Sequence, residues 1–447
     1  MNRSQSMVKI LRGVAAALVW SVLVHGEVPS AIAIKDAHVV TVSGPDLPKA
    51  TVLLRDGLIE DVGPNLTVPA DAWVIDGNGL TVYPGFIDGL STWGIPQPAA
   101  APPQPRTAAT AVPAAPAPRP RGPEDRPQNN SYERAADLVK PSDARLEAAH
   151  AAGFTTSVTF PENGVIGGEG AVVNLAGERA SDMVIATPAG QYVALRQAGF
   201  LAGYPNSLMG LISYVRQLYL DLDWYKSANS IYVQHVSGNV RPGYDHYLEG
   251  LAQSPRILFP ADQAQQIDRM VKFGTELKQP YVLYGLHEAF RRVDELKQAN
   301  IPLLISLKWP VKPKDADPAN VPDYRVLEER DQAPAAPGLL AKAGVRFGFY
   351  DDGVPTGPDL RAAVKKAIDR GLPRAEAIRA LTLTVAEMYS VGDRLGSIEK
   401  GKIANLTVTR GEAFEDGSKV EHVFIDGKDL KPRETPPQPA PPAGGAE

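Results

Sequence analysis

The sequence predicts an α/β protein in which a central parallel fold is accompanied by a small β domain formed by both ends of the chain. Short apolar runs typical of strands occur near both ends, within residues 31–82 and 393–430. The region between them alternates strand-like runs with amphipathic helices, which is the order expected of a parallel sheet. With 447 residues, the chain is long enough for a large barrel plus an accessory domain.

The first residues are typical of an export signal. Arg3, Lys9 and Arg12 form a positively charged region, and an uncharged apolar run follows over residues 14–24. Such a run is short for a transmembrane helix but suits the hydrophobic region of a signal peptide. We therefore assign residues 1–26 to a signal peptide and expect a periplasmic or secreted protein without a membrane anchor after cleavage. An uncleaved anchor is the alternative.

Composition narrows the possible partners and sites. The chain contains no cysteine, which excludes disulfides and thiolate sites. Its formal net charge is -5 and it has no long basic run, so nucleic acid is not expected as a partner.

The β segments at the two ends share one kind of turn. Asp56-Gly57 separates two apolar runs, and Asp426-Gly427 follows another near the C-terminus. This dipeptide suits the positive φ angles of a tight hairpin. We expect residues 31–82 and 393–430 to combine into one composite β-sandwich.

The middle of the chain contains apolar runs that alternate with helical patterns. Leu360, Val364 and Ile368 lie at helical spacing, and Pro373 suits the first turn of the next helix. The clearest strand candidates are residues 156–160, 281–284, 302–305 and 345–349.

Two segments do not fit this core. Residues 96–128 are dominated by proline and alanine, and proline removes the hydrogen bonds that helices and strands need. We expect a solvated insertion there, with a partner-binding linker as the alternative. The tail over residues 431–447 has a similar composition and is expected to be disordered.

Several segments together resemble amidohydrolases of the imidazolonepropionase and prolidase-like branch. They are residues 56–63, 82–88, 153–156, 395–406 and 423–428. The resemblance implies a (β/α)8 TIM-like barrel over residues 83–392, with its chemistry at the carboxyl ends of the strands. It also implies hydrolysis of an amide-like C–N bond, with one or two metal ions that activate a bound water.

The same resemblance implies metal ligands that this chain lacks. The family places a His-x-His pair two residues after the aspartate at position 88, but Leu90 and Thr92 stand there. Pro260 stands where the fifth strand should end in histidine. We therefore expect no bound metal; a divalent metal such as zinc would be the cofactor only if the site is active.

Two residues match the remaining family positions. His287 follows the sixth predicted strand and Asp352 the eighth, so the resemblance implies residual ligands or catalytic acid–base groups. A histidine at a helix start and an aspartate before a glycine turn are the structural alternatives. One imidazole and one carboxylate cannot hold a catalytic zinc, which needs three protein ligands and an open position.

Other conspicuous residues carry weaker signals. The glycine-rich residues 164–170 lack the spacing of nucleotide-binding loops, so turn geometry explains them better. A group of aromatic residues can line a pocket, serve as contact residues for a partner or simply pack: Trp224, Tyr225, Tyr232 and Tyr244.

Two functional hypotheses follow. The first is an exported amidohydrolase-like enzyme that acts on a small ligand with a non-peptide or dipeptide-like amide bond. The second is a catalytically degenerate barrel, a pseudoenzyme, that binds a ligand or supports an active amidohydrolase as a homo- or hetero-oligomer. The fold is the same in both, because function depends on the site.

Overall fold

The structure is a computed structural model that describes residues 31–96, 126–196, 204–313, 317, 321–354 and 357–430. The predicted signal peptide over residues 1–26, most of the proline- and alanine-rich insertion and the tail over residues 431–447 lie outside the described residues.

Strands and helices alternate along the described chain. The strands are β1 (Ala31–Val39), β2 (Leu47–Arg55), β3 (Leu58–Gly63), β4 (Ala72–Asp76), β5 (Leu80–Pro84), β6 (Phe86–Ser91), β7 (Phe154–Thr159), β8 (Ile166–Glu169), β9 (Ala171–Asn174), β10 (Val184–Ala186), β11 (Gln191–Val193), β12 (Ile257–Ala261), β13 (Tyr281–Gly285), β14 (Leu303–Ser306), β15 (Gly348–Tyr350), β16 (Leu406–Arg410), β17 (Lys419–Ile425) and β18 (Lys428–Asp429). The α-helices are α1 (Ala135–Leu138), α2 (Arg145–Ala152), α3 (Ala180–Met183), α4 (Leu208–Gln234), α5 (His246–Gln253), α6 (Ala264–Leu277), α7 (Val293–Ala299), α8 (Tyr324–Gln332), α9 (Ala336–Lys342), α10 (Gly357–Asp369), α11 (Arg374–Ala380) and α12 (Leu383–Met388).

Strands from both ends of the chain form one eight-stranded sheet. Its order is β18-β17-β16-β5-β1-β2-β3, with β4 paired to β1. The two ends meet where β5 pairs antiparallel with β16, and Thr81 lies opposite Thr409 in this ladder. Alternate residues of these strands face a shared apolar core that includes Ile34, Val82 and Phe424.

The two hairpin turns predicted from Asp-Gly dipeptides are confirmed. Asp56 and Gly57 have φ angles of 51° and 78°, and Asp426 and Gly427 have φ angles of 50° and 71°. The turns pack against each other, because a Cβ on Gly57 would lie 3.2 Å from the carbonyl oxygen of Asp426. Glycine at position 57 therefore serves both the turn and this contact.

The middle of the chain forms two further sheets. One has the order β10-β9-β7-β6, and the other has the order β15-β14-β13-β12-β11-β8. Strands β11 to β15 are parallel to one another, and α6 and α7 follow β12 and β13 as crossover helices. The α/β alternation predicted for this region is therefore confirmed.

The two sheets surround a single apolar core. Side chains from both sheets pack together there, including Ile87, Leu90, Val158, Tyr192, Leu258, Val282, Leu304 and Tyr350. The backbone N–H of Asp351, just after β15, donates to the carboxyl group of Asp88 on β6 at 3.2 Å. The strands thus have a barrel-like arrangement in which β6 and β15 are neighbours.

One predicted strand begins later than expected. Residues 345–349 were predicted as a strand, but β15 spans Gly348–Tyr350. Gly344 has a φ of 78°, and the backbone N–H of Val345 donates to the carbonyl of Leu340. The end of α9 therefore takes up the residues just before the strand. None of the described helices combines the length and apolar character needed to cross a membrane.

Candidate active site

A cavity of about 310 Å³ lies at the carboxyl ends of the central strands. Its lining comes from the residues that follow or end β6, β7, β11, β13, β14 and β15. In parallel α/β barrels, ligands bind and catalytic groups lie at the corresponding end of the strands.

Two aspartates are paired beside this cavity. Asp88, on β6, is fully buried, and Asp351, directly after β15, is buried and lines the cavity. Oδ1 of Asp88 accepts hydrogen bonds from the backbone N–H groups of Leu90 and Asp351, each at 3.2 Å.

Burial raises the pKa of both aspartates. Burial, with the nearby charge of Asp351, raises the pKa of Asp88 well above its usual value. Burial also raises the pKa of Asp351 to about 6, although the hydrogen bond from Asp88 lowers it. With a pKa of about 6, Asp351 is mostly ionised at neutral pH, so it presents a base to the cavity that it lines.

Asp352 also lines the cavity but has different surroundings. Its Oδ2 accepts a hydrogen bond from Oγ of Ser306 at 2.8 Å, and its backbone has a φ of 49°. Asp351, rather than Asp352, contacts the aspartate of β6. The sequence Tyr-Asp-Asp-Gly drew attention to this turn, and the structure places both carboxylates in the cavity.

His287 lies after β13, outside the residues that line this cavity. Its Nδ1 lies 2.7 Å from Oδ1 of Asp262, and its Nε2 is buried without a hydrogen-bond partner. Burial lowers the pKa of His287, but the hydrogen bond and charge of Asp262 outweigh burial, and the net result is a raised pKa. The structure thus does not bring His287 and Asp352 together in one cavity.

Arg145, on α2, crosses the opening beside β6. Its Nη1 donates to Oγ1 of Thr92 at 2.7 Å, and its Nη2 donates to the carbonyl oxygens of Thr92 and Ile95 at 2.7 and 2.6 Å. The same guanidinium forms an ion pair with buried Asp143 at 2.7 Å. Sequence reasoning missed this residue because it lies far along the chain from Thr92.

The remaining cavity wall combines charged and aromatic groups. Arg196 donates to the hydroxyl of Tyr192 at 3.5 Å, and Lys308 and Glu162 also line the cavity. Burial raises the pKa of Glu162, and the charge of Arg196 partly offsets this effect. The ring of Tyr284 stacks on that of Tyr192 with centroids 5.5 Å apart.

Comparison with known proteins agrees with this architecture. The model of the Amidohydrolase family matches residues 261–430. An amidohydrolase from Thermotoga maritima MSB8 has a similar structure, with a TM-score of 0.72 and 24% identity over 90% of this chain and 100% of that one.

The C-terminal part of the chain thus matches the Amidohydrolase family, and the fold is similar to that of a solved amidohydrolase.

Other similar proteins resemble this chain less closely or over a shorter stretch. A Xaa-Pro dipeptidase with bound methionine has a TM-score of 0.53 and 17% identity over 90% of this chain and 100% of its own. N-acetylglucosamine-6-phosphate deacetylase from Haemophilus influenzae is 40% identical over 70 residues. This match spans 15% of the chain and 17% of that enzyme. The family resemblance inferred from the sequence is thereby confirmed.

The donor set at the superfamily's metal positions does not fit a metal ion. Leu90 is buried in the apolar core, and the hydroxyl of Thr92 already accepts a hydrogen bond from the cation of Arg145. Pro260 lies within β12 and has no donor atom in its side chain. Across the described ranges, no three histidine, aspartate or glutamate side chains are grouped so as to hold a metal.

We therefore predict that the purified protein carries far less than one equivalent of zinc, iron or manganese. Introducing Leu90→His and Thr92→His together should not restore binding, because Arg145 stays beside position 92 and Pro260 still supplies no ligand. Elemental analysis of both proteins checks this. Stoichiometric metal in the unmodified protein would contradict it.

The group of aromatic residues predicted as possible pocket residues does not line the cavity. Trp224 and Tyr244 are exposed, Tyr232 is partly exposed, and Tyr225 is buried on α4, where its hydroxyl donates to Glu249 at 2.6 Å. The role of Trp224 and Tyr244 as contact residues for a partner stays a prediction.

The glycine-rich loop has a packing role. β8 runs through it, and a Cβ on Gly167 would lie 2.3 Å from the carbonyl oxygen of Pro161. This close contact supports the geometric explanation given for the glycines.

Proposed function

We propose that this protein hydrolyses an amide-like C–N bond and that Asp351 is the catalytic base. The observation that carries the proposal is the position of Asp351 after β15, where its backbone N–H donates to the buried carboxyl group of Asp88 and its side chain lines the cavity. The match of residues 261–430 to the Amidohydrolase family model supports the reaction class.

The chemistry proposed for the pair needs only a water and the amide. Asp351 takes a proton from the water, whose oxygen forms a bond to the carbonyl carbon. The C–N bond then breaks as the proton passes from Asp351 to the leaving nitrogen. Asp88 is a positioning residue, since it is fully buried and its carboxyl group accepts a hydrogen bond from the backbone N–H of Asp351.

The cations of the cavity complete the proposal. Negative charge develops on the carbonyl oxygen during attack, and positive groups placed near it lower the barrier. Arg196 and Lys308 line the same cavity as Asp351 and are the side chains proposed for this role. Arg145 already donates hydrogen bonds to five acceptor atoms of Thr92, Ile95 and Asp143 and serves instead as part of the cavity wall.

We also propose that the strands close into a complete (β/α)8 barrel. The shared apolar core and the contact between Asp88 and Asp351 support closure between β6 and β15. A closed barrel holds both aspartates on rigid strands, which suits a pair that must keep its geometry.

Activity assays test the proposed reaction. N-acetylated amino acids and Xaa-Pro dipeptides are offered to the purified protein with and without a strong metal chelator. We expect hydrolysis that the chelator does not abolish, and a fall in kcat of about 10²- to 10⁴-fold in Asp351→Asn, because a positioned base contributes that much. The exposed substitution Asp182→Asn should leave kcat unchanged. Full activity in Asp351→Asn, or complete loss with chelator, would refute this assignment.

We further propose that the protein is exported and that its signal peptide is removed between about residues 26 and 31. The basis is the charged and apolar pattern of the first residues. Intact mass of the protein recovered from its native host is the measurement. A full-length species found only in the membrane fraction would contradict the proposal.

A further inference from the structure

A second, larger cavity adjoins the candidate active site. It has a volume of about 760 Å³ and lies between the first part of α4 and α6. We call it the apolar groove, after a set of apolar side chains in its lining: Leu195, Leu208, Met209, Ile212, Met270 and Phe273. Arg196 and Tyr284 line both the groove and the active-site cavity, so the two spaces meet at these residues.

The junction between the two spaces is fixed by internal contacts. The hydroxyl of Tyr284 donates to the carbonyl oxygen of Val193 at 2.9 Å, and its ring stacks on Tyr192. Arg196 donates to the hydroxyl of the same Tyr192. A ligand that extends from one space to the other would therefore contact the side chains of Tyr284 and Arg196, which these contacts hold in place.

The groove differs in chemistry from the cavity beside it. The cavity presents Asp351, Glu162 and Lys308, whereas apolar side chains dominate the groove. Met209 is 79% exposed at its edge, and exposed apolar groups around a concavity mark binding surfaces. Two of the chain's six methionines, Met209 and Met270, line it, and unbranched methionine side chains adapt to flexible ligands.

Charge at the groove further limits its occupant. Arg216 lies over the ring of Phe273 at 5.3 Å and pairs with Glu276 at 2.5 Å. Arg269 and Lys272 add two more cations to the lining, and Glu276 is its one carboxylate among the described residues. A ligand with a cationic end is thereby disfavoured, which argues against a free amino terminus in the groove.

We infer that the apolar groove binds the acyl chain of the substrate, so that the enzyme acts on amides of medium-length fatty acids. The inference rests on the proposed function, since it places the scissile C–N bond beside Asp351 and the amine portion in the polar cavity. An unbranched apolar chain matches the apolar lining, and the shared residues Arg196 and Tyr284 place the groove next to the cavity.

The test uses a series of N-acylglycines together with a binding probe that needs no catalysis. Hydrolysis of N-acetyl-, N-octanoyl- and N-dodecanoylglycine is compared, and laurate binding is measured by calorimetry. We expect kcat/KM to rise by about tenfold or more from acetyl to octanoyl, the effect of burying two or more methylene groups. Laurate should bind with one site per chain.

Two matched variants on α4 separate the groove from the rest of the helix. Ile212→Asp introduces a charge within the groove, and Leu220→Asp introduces the same charge on the exposed face of the helix. Ile212→Asp should remove the preference for longer chains, as measured by the dodecanoyl-to-acetyl ratio of kcat/KM, and should abolish laurate binding. Leu220→Asp should change neither.

The two readouts distinguish the groove from the reaction. Saturable laurate binding that Ile212→Asp abolishes, without hydrolysis of any amide, would support the groove and refute the proposed function. Hydrolysis without chain-length preference and without laurate binding would overturn the groove and leave the function. If laurate bound only after removal of residues 97–125, that segment would be the occupant of the groove and the inference would be overturned. If laurate bound only in competition with self-association, the occupant would be a second copy of the chain, and the inference would again be overturned.

Discussion

Asp351→Asn is expected to make the folded protein more stable at pH 8 by about 3 kcal/mol. The pKa of Asp351 rises from 3.8 to about 6 in the folded state, chiefly because of burial, and this difference corresponds to about 3 kcal/mol. The native state therefore binds more protons than the unfolded state between these two values. Stability falls as the pH rises through this window, and asparagine removes that loss.

The measurement is the free energy of unfolding of both proteins in denaturant from pH 3.5 to pH 8. The difference between them should be near zero at the acid end, grow between pH 4 and 6 and then stay constant. Asp182→Asn is the matched control, because the hydrogen bond from Arg179 lowers the pKa of this exposed carboxyl. An Asp351→Asn protein that is less stable than wild type at pH 8 would show that the carboxylate is structural.

This result would also separate catalysis from folding. If substitution of a residue lowers kcat but raises the stability of the fold, the native side chain destabilises the protein in return for activity, as active-site groups often do. Loss of activity through misfolding predicts the opposite change in stability. The two measurements on one variant therefore decide whether Asp351 is a catalytic or a structural carboxylate.

Arg145→Met should lower the free energy of unfolding by about 3 kcal/mol at pH 7. The substitution leaves the buried carboxylate of Asp143 without its cation and removes the guanidinium hydrogen bonds to the carbonyl oxygens of Thr92 and Ile95. Burial alone raises the pKa of Asp143, but hydrogen bonds from Arg145 hold it below its usual value. The full decrease in the free energy of unfolding should thus be seen at neutral pH, and the decrease should become smaller as the pH falls below about 4.

Denaturant unfolding measures this effect, with Arg179→Met as the control. Arg179 forms an ion pair with Asp182 at the surface, where its side chain is 79% exposed, and its removal should leave stability unchanged. Adding Asp143→Asn to Arg145→Met should recover part of the loss, because it removes the unpaired charge. Equal effects of the two arginine substitutions would contradict a structural role for Arg145.

The features that the sequence could predict are those set by neighbouring residues. Asp56-Gly57 forms its turn because both residues adopt positive φ angles locally. The absence of imidazoles at positions 90 and 92 is likewise a property of the residues themselves, and the structure explains how Leu90 joins the core instead.

Features that depend on distant contacts could not be predicted. The sequence favoured Asp352, but β15 ends so that the backbone N–H of its neighbour Asp351 contacts Asp88. Arg145 gives no local sign that it binds Thr92, since α2 must first dock beside β6. Trp224 is exposed on α4 because its side of the helix faces away from the core, a direction that composition does not reveal.

The pairing of β5 with β16 has a consequence for biosynthesis. The ribosome synthesises most of the chain before β16 (Leu406–Arg410) emerges. Until then, the edge of β5 that pairs with β16 has no hydrogen-bonding partner strand. An open edge of this kind is a template for pairing with other chains. A chain truncated before residue 406 should therefore aggregate instead of forming a smaller folded protein. The sheet is completed only when β16 has been made and pairs with β5.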